Sequence, residues 1–128
     1  MEAGGDSQGN GSRKYDLEER TFQFARRVRW FVKKIPKTMS NREDGKQLVR
    51  ASGSVGANYI EANESFSGKD FLFRVKISRK ETKESHYWLR LLDLQENPQI
   101  EHERAALVAE ATELMRIFGA IITKRSNC

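Results

Sequence analysis

Asn58 and Glu61 stand three residues apart in a helical stretch, with Ser54 four residues before Asn58. The segment reads A-S-G-S-V-G-A-N-Y-I-E-A-N-E, from Ala51 to Glu64. Spacings of three and four place these polar groups on one helical face, where apolar core residues are expected. An amide and a carboxylate so placed would serve either as a recognition or assembly site, or as a buried or interfacial polar network that fixes helix register. Ser85, Lys80 and Arg79 are the candidate partners for such a network. An unpaired buried polar group costs about 1–3 kcal/mol, so the structural role is preferred for Ser54, Asn58 and Glu61. Gly53 and Gly56 lie in the same helix, and each costs about 1 kcal/mol relative to Ala. Two such residues imply a close approach by a neighbouring backbone, a kink or a ligand.

The second chemically marked set is basic: Arg20, Arg26, Arg27, Arg29, Lys33, Lys34 and Lys37. Arg20, Arg27 and Lys34 recur every seven residues and line up as one stripe, with the other four forming a broader neighbouring surface. The net charge of +5 is concentrated here, since residues 13–46 hold eleven Lys/Arg against five Asp/Glu. Phosphate contact, and hence binding of RNA or DNA, is the chemistry such a stripe suggests. Lys76, Arg79, Lys80 and Lys83 make a second patch, interrupted by Glu81 and Glu84.

Catalytic and cofactor chemistry finds little footing. His86 and His102 have no second ligand at metal spacing, and no Glu-x-x-His pair of the di-iron bundle type is present. G-S-V-G at residues 53–56 lacks the Lys-Ser/Thr of a phosphate loop, and no nucleophile elbow surrounds any serine. The single cysteine, Cys128, is the last residue. No catalytic, cofactor or metal site is therefore expected. The absence of an apolar leader or spanning run predicts a soluble, cytoplasmic protein with no membrane contact.

Four amphipathic helices must position these residues. The first is expected to start at an Asp16 cap, to bury Leu17, Thr21, Phe24, Val28, Phe31 and Ile35, widened by Phe22, Ala25 and Val32, and to end at Pro36. A second, capped at Ser40 or Asn41, would bury Leu48, Ala51 or Ser52, Val55, Asn58 or Tyr59, and Ala62. A third, capped at Ser67 or Gly68 and reaching about Glu96, would bury Leu72, Val75, Ser78 or Arg79, Thr82, Ser85, Leu89 and Leu92. Its small Ser78, Thr82 and Ser85 face is expected to receive the glycines of the second helix. After Asn97-Pro98 a fourth helix would bury Ile100, Leu107, Ala111, Leu114, Phe118 and Ile121. The expected fold is thus an all-α, antiparallel up-and-down four-helix bundle over residues 15–124. Residues 1–14, rich in Gly and polar residues, are expected to be a disordered tail, and 125–128 a short C-terminal tail.

S-V-G-A-N-Y-I-E-A, from Ser54 to Ala62, resembles the S-[IV]-x-x-N-I-x-E-G signature of the 23S rRNA intervening-sequence proteins. K-D-F-L-x-R-x-K (Lys69 to Lys76) and K-E-T-K-E-S-x-Y-W-L (Lys80 to Leu89) extend the likeness over residues 15–123. Gly56, Tyr59 and Ala62 depart from it, standing where relatives have Pro, Ile and Gly. The resemblance implies a bundle that assembles into a ring-like homopentamer, with no established catalytic activity. It also implies kinship with accessory variability proteins of retroelements. The function expected is a non-catalytic, oligomeric binding or scaffold protein associated with RNA through the basic face of the first helix. The alternative is a protein-interaction adaptor, such as an accessory subunit of a reverse transcriptase or RNA-processing enzyme.

Overall fold

The computed structural model describes residues 10–127 and consists there of four helices and no strand. They are α1 (Asn10–Val32), α2 (Met39–Asn63), α3 (Gly68–Leu91) and α4 (Pro98–Ser126). Each packs on its neighbour in sequence, and α4 closes against α1. The connections are short, and cross-links such as Asn41 to Asp93 and Asn58 to Arg74 run antiparallel. The up-and-down bundle is therefore as expected. Residues 1–9, most of the expected N-terminal tail, lie outside the described residues, as does Cys128.

Several helix ends differ from the expectation. Helix α1 begins at Asn10, so residues 10–14 are helical and Asp16 is an interior, exposed residue rather than a cap. At its other end α1 stops at Val32, four residues before Pro36, because the residue preceding a proline is driven away from helical geometry. Thr38, not Ser40 or Asn41, caps α2 by accepting a hydrogen bond from the Asn41 N–H at 3.1 Å. Helix α3 ends at Leu91, short of Glu96, and Gln95 and Glu96 then take left-handed conformations (φ 54° and 59°). At the far end α4 runs on to Ser126, two residues into the expected C-terminal tail.

The freed Asn41 side chain has a different task. It is buried, donates to the carbonyls of Pro36 (3.0 Å) and Asp93 (2.8 Å), and accepts from the Asp93 N–H (2.9 Å). One amide thereby ties the α1–α2 connection to the α3–α4 connection and satisfies backbone groups that would otherwise be buried unpaired. Arg104 adds to this end of the bundle by donating to the carbonyls of Leu89 (3.3 Å) and Leu92 (2.5 Å), beyond which α3 has no intrahelical donor.

The core follows the apolar seams. The five seam residues of α1 from Leu17 to Phe31 are buried, as are Ile35 in the connection after it and Leu48, Ala51, Val55, Tyr59 and Ala62 of α2. Leu114 and Phe118 of α4 meet them, with the Tyr59 and Phe118 rings 5.9 Å apart and tilted. Phe22, expected to widen the α1 seam, is exposed instead. The α2–α3 interface is the most extensive, and small hydroxylated residues line the α3 side. The Ser78 hydroxyl donates to the Val55 carbonyl of α2 at 2.9 Å, while Thr82 and Ser85 donate to carbonyls four residues back in their own helix. Every buried hydroxyl of that layer is thus satisfied internally.

The glycines of α2 do not face this layer. Gly56 meets α1, where an added Cβ would lie 2.8 Å from Thr21 Oγ1 and 3.2 Å from Thr21 Cβ. Gly53 leaves room for the Arg29 guanidinium, whose Nη2 would stand 3.0 Å from a Cβ. The expected glycine contact with α3 is therefore replaced by one with α1. Thr21 is fully buried and hydrogen-bonded to the Glu18 carbonyl, so it has no room to yield. Gly56→Ala is expected to destabilise the protein by about 1–3 kcal/mol through overpacking. Gly45→Ala, whose Cβ would meet only Val32 Cγ1 at 3.6 Å, should instead stabilise it by about 0.5–1 kcal/mol. Urea denaturation of the two variants checks the contrast, and equal effects would refute it.

Candidate nucleic-acid interface

Folding sorts the seven basic residues of the sequence-derived site into three groups. Arg20 and Lys34, two members of the heptad stripe, are engaged by α4. Arg20 makes a bidentate pair with Glu110 (2.7 and 2.9 Å), which holds its guanidinium still more firmly protonated. Lys34 reaches Glu103 at 3.0 Å. Arg27, half-buried between them in the sequence, shares that stripe by its spacing. The stripe therefore serves mainly to close α1 on α4.

Arg29 forms the second group by itself. Its guanidinium crosses to α2 and donates to the Val49 carbonyl at 3.2 Å and the Ser52 hydroxyl at 3.5 Å, as well as to Ala25 of its own helix. The missing side chain at Gly53 makes that crossing possible. Arg26, Lys33 and Lys37 make up the third group and are exposed. Among the described residues none of these three has a carboxylate partner. The Arg26 guanidinium instead lies 4.8 Å from the centroid of the Trp30 ring.

Two open grooves run along the α1–α2 seam, and Arg29 contributes to the upper one. That groove, of about 520 Å³, is lined by Phe22, Ala25, Arg26, Gly53, Gly56 and Ile60 among others. The lower groove, of about 490 Å³, has an apolar floor that includes Val32, Ile35 and Val49. Lys37, Arg42, Lys46 and Arg50 line it, with no carboxylate among the lining residues. Lys46 is paired at long range with Glu43 (3.6 Å), and Arg50 with Glu81 and Glu84 (3.4 and 3.1 Å). The α2 cations were missed from sequence, although Arg42, Lys46 and Arg50 recur every four residues. Glu81, read from sequence as one of two acidic interruptions in a surface patch, is a buried carboxylate facing Arg50.

Of the Ser54–Asn58–Glu61 set, Ser54 and Asn58 form an interfacial rather than a buried network, and Glu61 stands outside it. Asn58 is half-buried and Glu61 is exposed. The Asn58 amide donates to the Ser54 carbonyl and hydroxyl, both at 2.9 Å, and its oxygen accepts from Arg74 of α3 at 3.0 Å. Arg74, rather than Ser85, Lys80 or Arg79, is thus the partner across the interface. Glu61 lines a shallow acidic and aromatic depression with Glu64, Phe66, Asp70, Phe73 and Arg74. Helical spacing gives the shared face correctly, but that face lies at the edge of the α2–α3 contact, where side chains reach water.

No group of three or more His, Cys, Asp or Glu residues that would hold a metal ion occurs among the described residues. No helix of the described chain is long and apolar enough to cross a membrane.

The model of the 23S rRNA-intervening sequence protein family matches residues 13–120. The chain belongs to that family. A solved relative is a protein of unknown function from the S23 ribosomal protein family of Bacteroides thetaiotaomicron. It is 28% identical, with a TM-score of 0.72, and the match covers 83% of this chain and 97% of that one. Among curated proteins none matches. Membership in the intervening-sequence family accounts for the S-V-G-A-N-Y-I-E-A segment and for the four-helix fold, and it carries no assigned activity.

Because Glu61 is exposed, Glu61→Ala should change the unfolding free energy by less than about 0.5 kcal/mol. A larger loss in urea titration would restore the buried-network role. His86 offers a second test. Burial and the nearby Arg90 charge lower its pKa, so the folded state takes up the proton at more acid pH than the unfolded chain. Stability should fall as pH drops through about 6.5, because there the unfolded chain binds more protons. His86→Gln should remove that part of the loss across a pH series of denaturation curves.

Proposed function

We propose that this intervening-sequence family member is a non-catalytic binding or scaffold protein that associates with nucleic acid. The contact surface proposed is the basic seam of α1 and α2. The observation that carries the reading is the lower seam groove, where Lys37 and Arg42 stand beside an apolar floor with no carboxylate partner among the described residues, while Lys46 and Arg50 add to the lining with Glu43, Glu81 and Glu84 paired to them from outside it. Arg26 and Lys33 extend the positive surface along α1. Arg20, Lys34 and Arg29, part of the surface expected from sequence, are left to structural work. The family description refers to 23S rRNA and the solved relative to a ribosomal protein family, and both favour RNA as the polyanion.

Self-association into a ring-like homopentamer, implied by the resemblance, belongs to the same proposal. A ring would present the basic seam five times and multiply a modest affinity without new contacts. A second reading, as an adaptor for a protein such as a reverse transcriptase, draws on the opposite end of the α2–α3 pair. There Phe66 is fully exposed and Phe73 is 59% exposed, beside Glu61, Glu64 and Asp70. Exposed aromatic residues ringed by charge suit a protein contact.

A titration of labelled RNA at two salt concentrations separates the readings. With about four phosphate contacts, a fourfold rise in salt should weaken binding between about 50-fold and 150-fold. Salt-independent binding, or none at low salt, would eliminate the nucleic-acid reading and leave the adaptor. Light scattering should give a mass near five times the 14.8 kDa chain, and a monomer would remove the ring.

A further inference from the structure

The outer edge of α1 carries more than charge. Phe22, Arg26 and Trp30 follow one another at spacings of four, so they form a single stripe about 12 Å long from Phe22 to Trp30. Lys33 and Lys37 continue it through the turn after α1 and into the lower groove. Phe22 is 55% and Trp30 48% exposed. Arg26 is already stacked on the Trp30 ring, which holds one cation and one aromatic surface together before any ligand arrives.

Phosphate attraction alone needs cations only. A duplex turns its base faces inward and would gain little from exposed rings, whereas a single strand presents bases that stack on aromatic side chains while its phosphates track the cations. We infer that the Phe22–Arg26–Trp30 stripe, continued by Lys33 and Lys37, is a binding site for single-stranded nucleic acid. Bases stack on Trp30 and Phe22, and phosphates lie against Arg26 between the two rings and against Lys33 and Lys37 beyond Trp30. The alternation of exposed rings and cations along the stripe matches the alternation of bases and phosphates in a single strand, and this selects that occupant. The inference rests on the nucleic-acid reading above and narrows it to one class of strand.

The test is an anisotropy titration of the full chain with an unstructured labelled single strand, as RNA and as DNA, and with the matching duplexes. Either single strand should bind more tightly than its duplex. Trp30→Ala should weaken single-strand binding about 5- to 150-fold, the effect of losing one stacked base, and leave duplex binding unchanged. Trp30→Phe should retain most of the affinity, because it keeps a ring for the base. Replacing Lys33 and Lys37 together by Ala should flatten the slope of log affinity against log salt by about 1.4 for the single strand. Equal affinity for duplex and single strand, or an unchanged strand preference in Trp30→Ala, overturns the stacking site while leaving salt-dependent phosphate binding in place. Absence of binding to all four ligands overturns both. Loss of the oligomer in Trp30→Ala, seen by light scattering, also overturns the inference, because the ring would then be buried between copies.

Discussion

The bundle depends on how closely two neighbours approach the backbone of α2. On one side Gly56 lets Thr21 of α1 settle within the space a methyl group would occupy. On the other, the Ser78 hydroxyl of α3 bonds directly to the Val55 carbonyl. Apolar contact gains most when side chains interdigitate without voids, and a small residue at each interface, Gly56 of α2 against α1 and Ser78 of α3 against α2, makes that possible on both sides at once. The cost is a helix with weak intrinsic propensity, since three glycines interrupt α2. Tertiary packing, not local preference, therefore holds α2 helical.

The ends of the bundle obey a different constraint, which is backbone satisfaction. Thr38 caps α2, Ser67 caps α3 and Asn97 caps α4, each accepting from N–H groups in the first turn. Asn41 and Arg104 then supply donors to carbonyls in the connections and at the end of α3. With these groups paired, Leu92 and Leu94 can be buried in a non-helical segment. The left-handed Gln95 and Glu96 turn the chain there without a glycine, at a modest conformational cost.

Electrostatics decides which charges are left for a partner. The basic residues of α1 all look alike in sequence, and folding separates them by what stands opposite. Glu110 and Glu103 neutralise the stripe that faces α4, where the pairs are partly exposed and contribute little net stability individually. Their larger consequence is to remove Arg20 and Lys34 from the accessible positive surface. Arg29 is removed in another way, because Gly53 gives its guanidinium a path to the carbonyls of α2. What remains positive lies along the α1–α2 edge, beside two exposed aromatic rings.

Most of the architecture was legible from residue order. The buried seam from Leu17 to Ile35, the breaks at Pro36 and Pro98 and the start of α3 at Ser67 or Gly68 all follow from helical period and local backbone chemistry. Membership in the intervening-sequence family was legible as well, since its motif is contiguous. The cap of α2 was not, because the side-chain oxygens of Thr38, Ser40 and Asn41 are equally competent acceptors until Asn41 is drawn into the core. The interfacial role of Asn58 was legible, but its partner Arg74 and the exposure of Glu61 were not, because period assigns a residue to a face but does not say how far the neighbouring helix extends over it. Sequence by itself determined the four helices, their order and most of the core, because these depend on patterns only a few residues long. Tertiary structure alone decided which helix receives the glycines, which carboxylate meets which arginine and which cations face water, because each depends on groups brought together from distant parts of the chain.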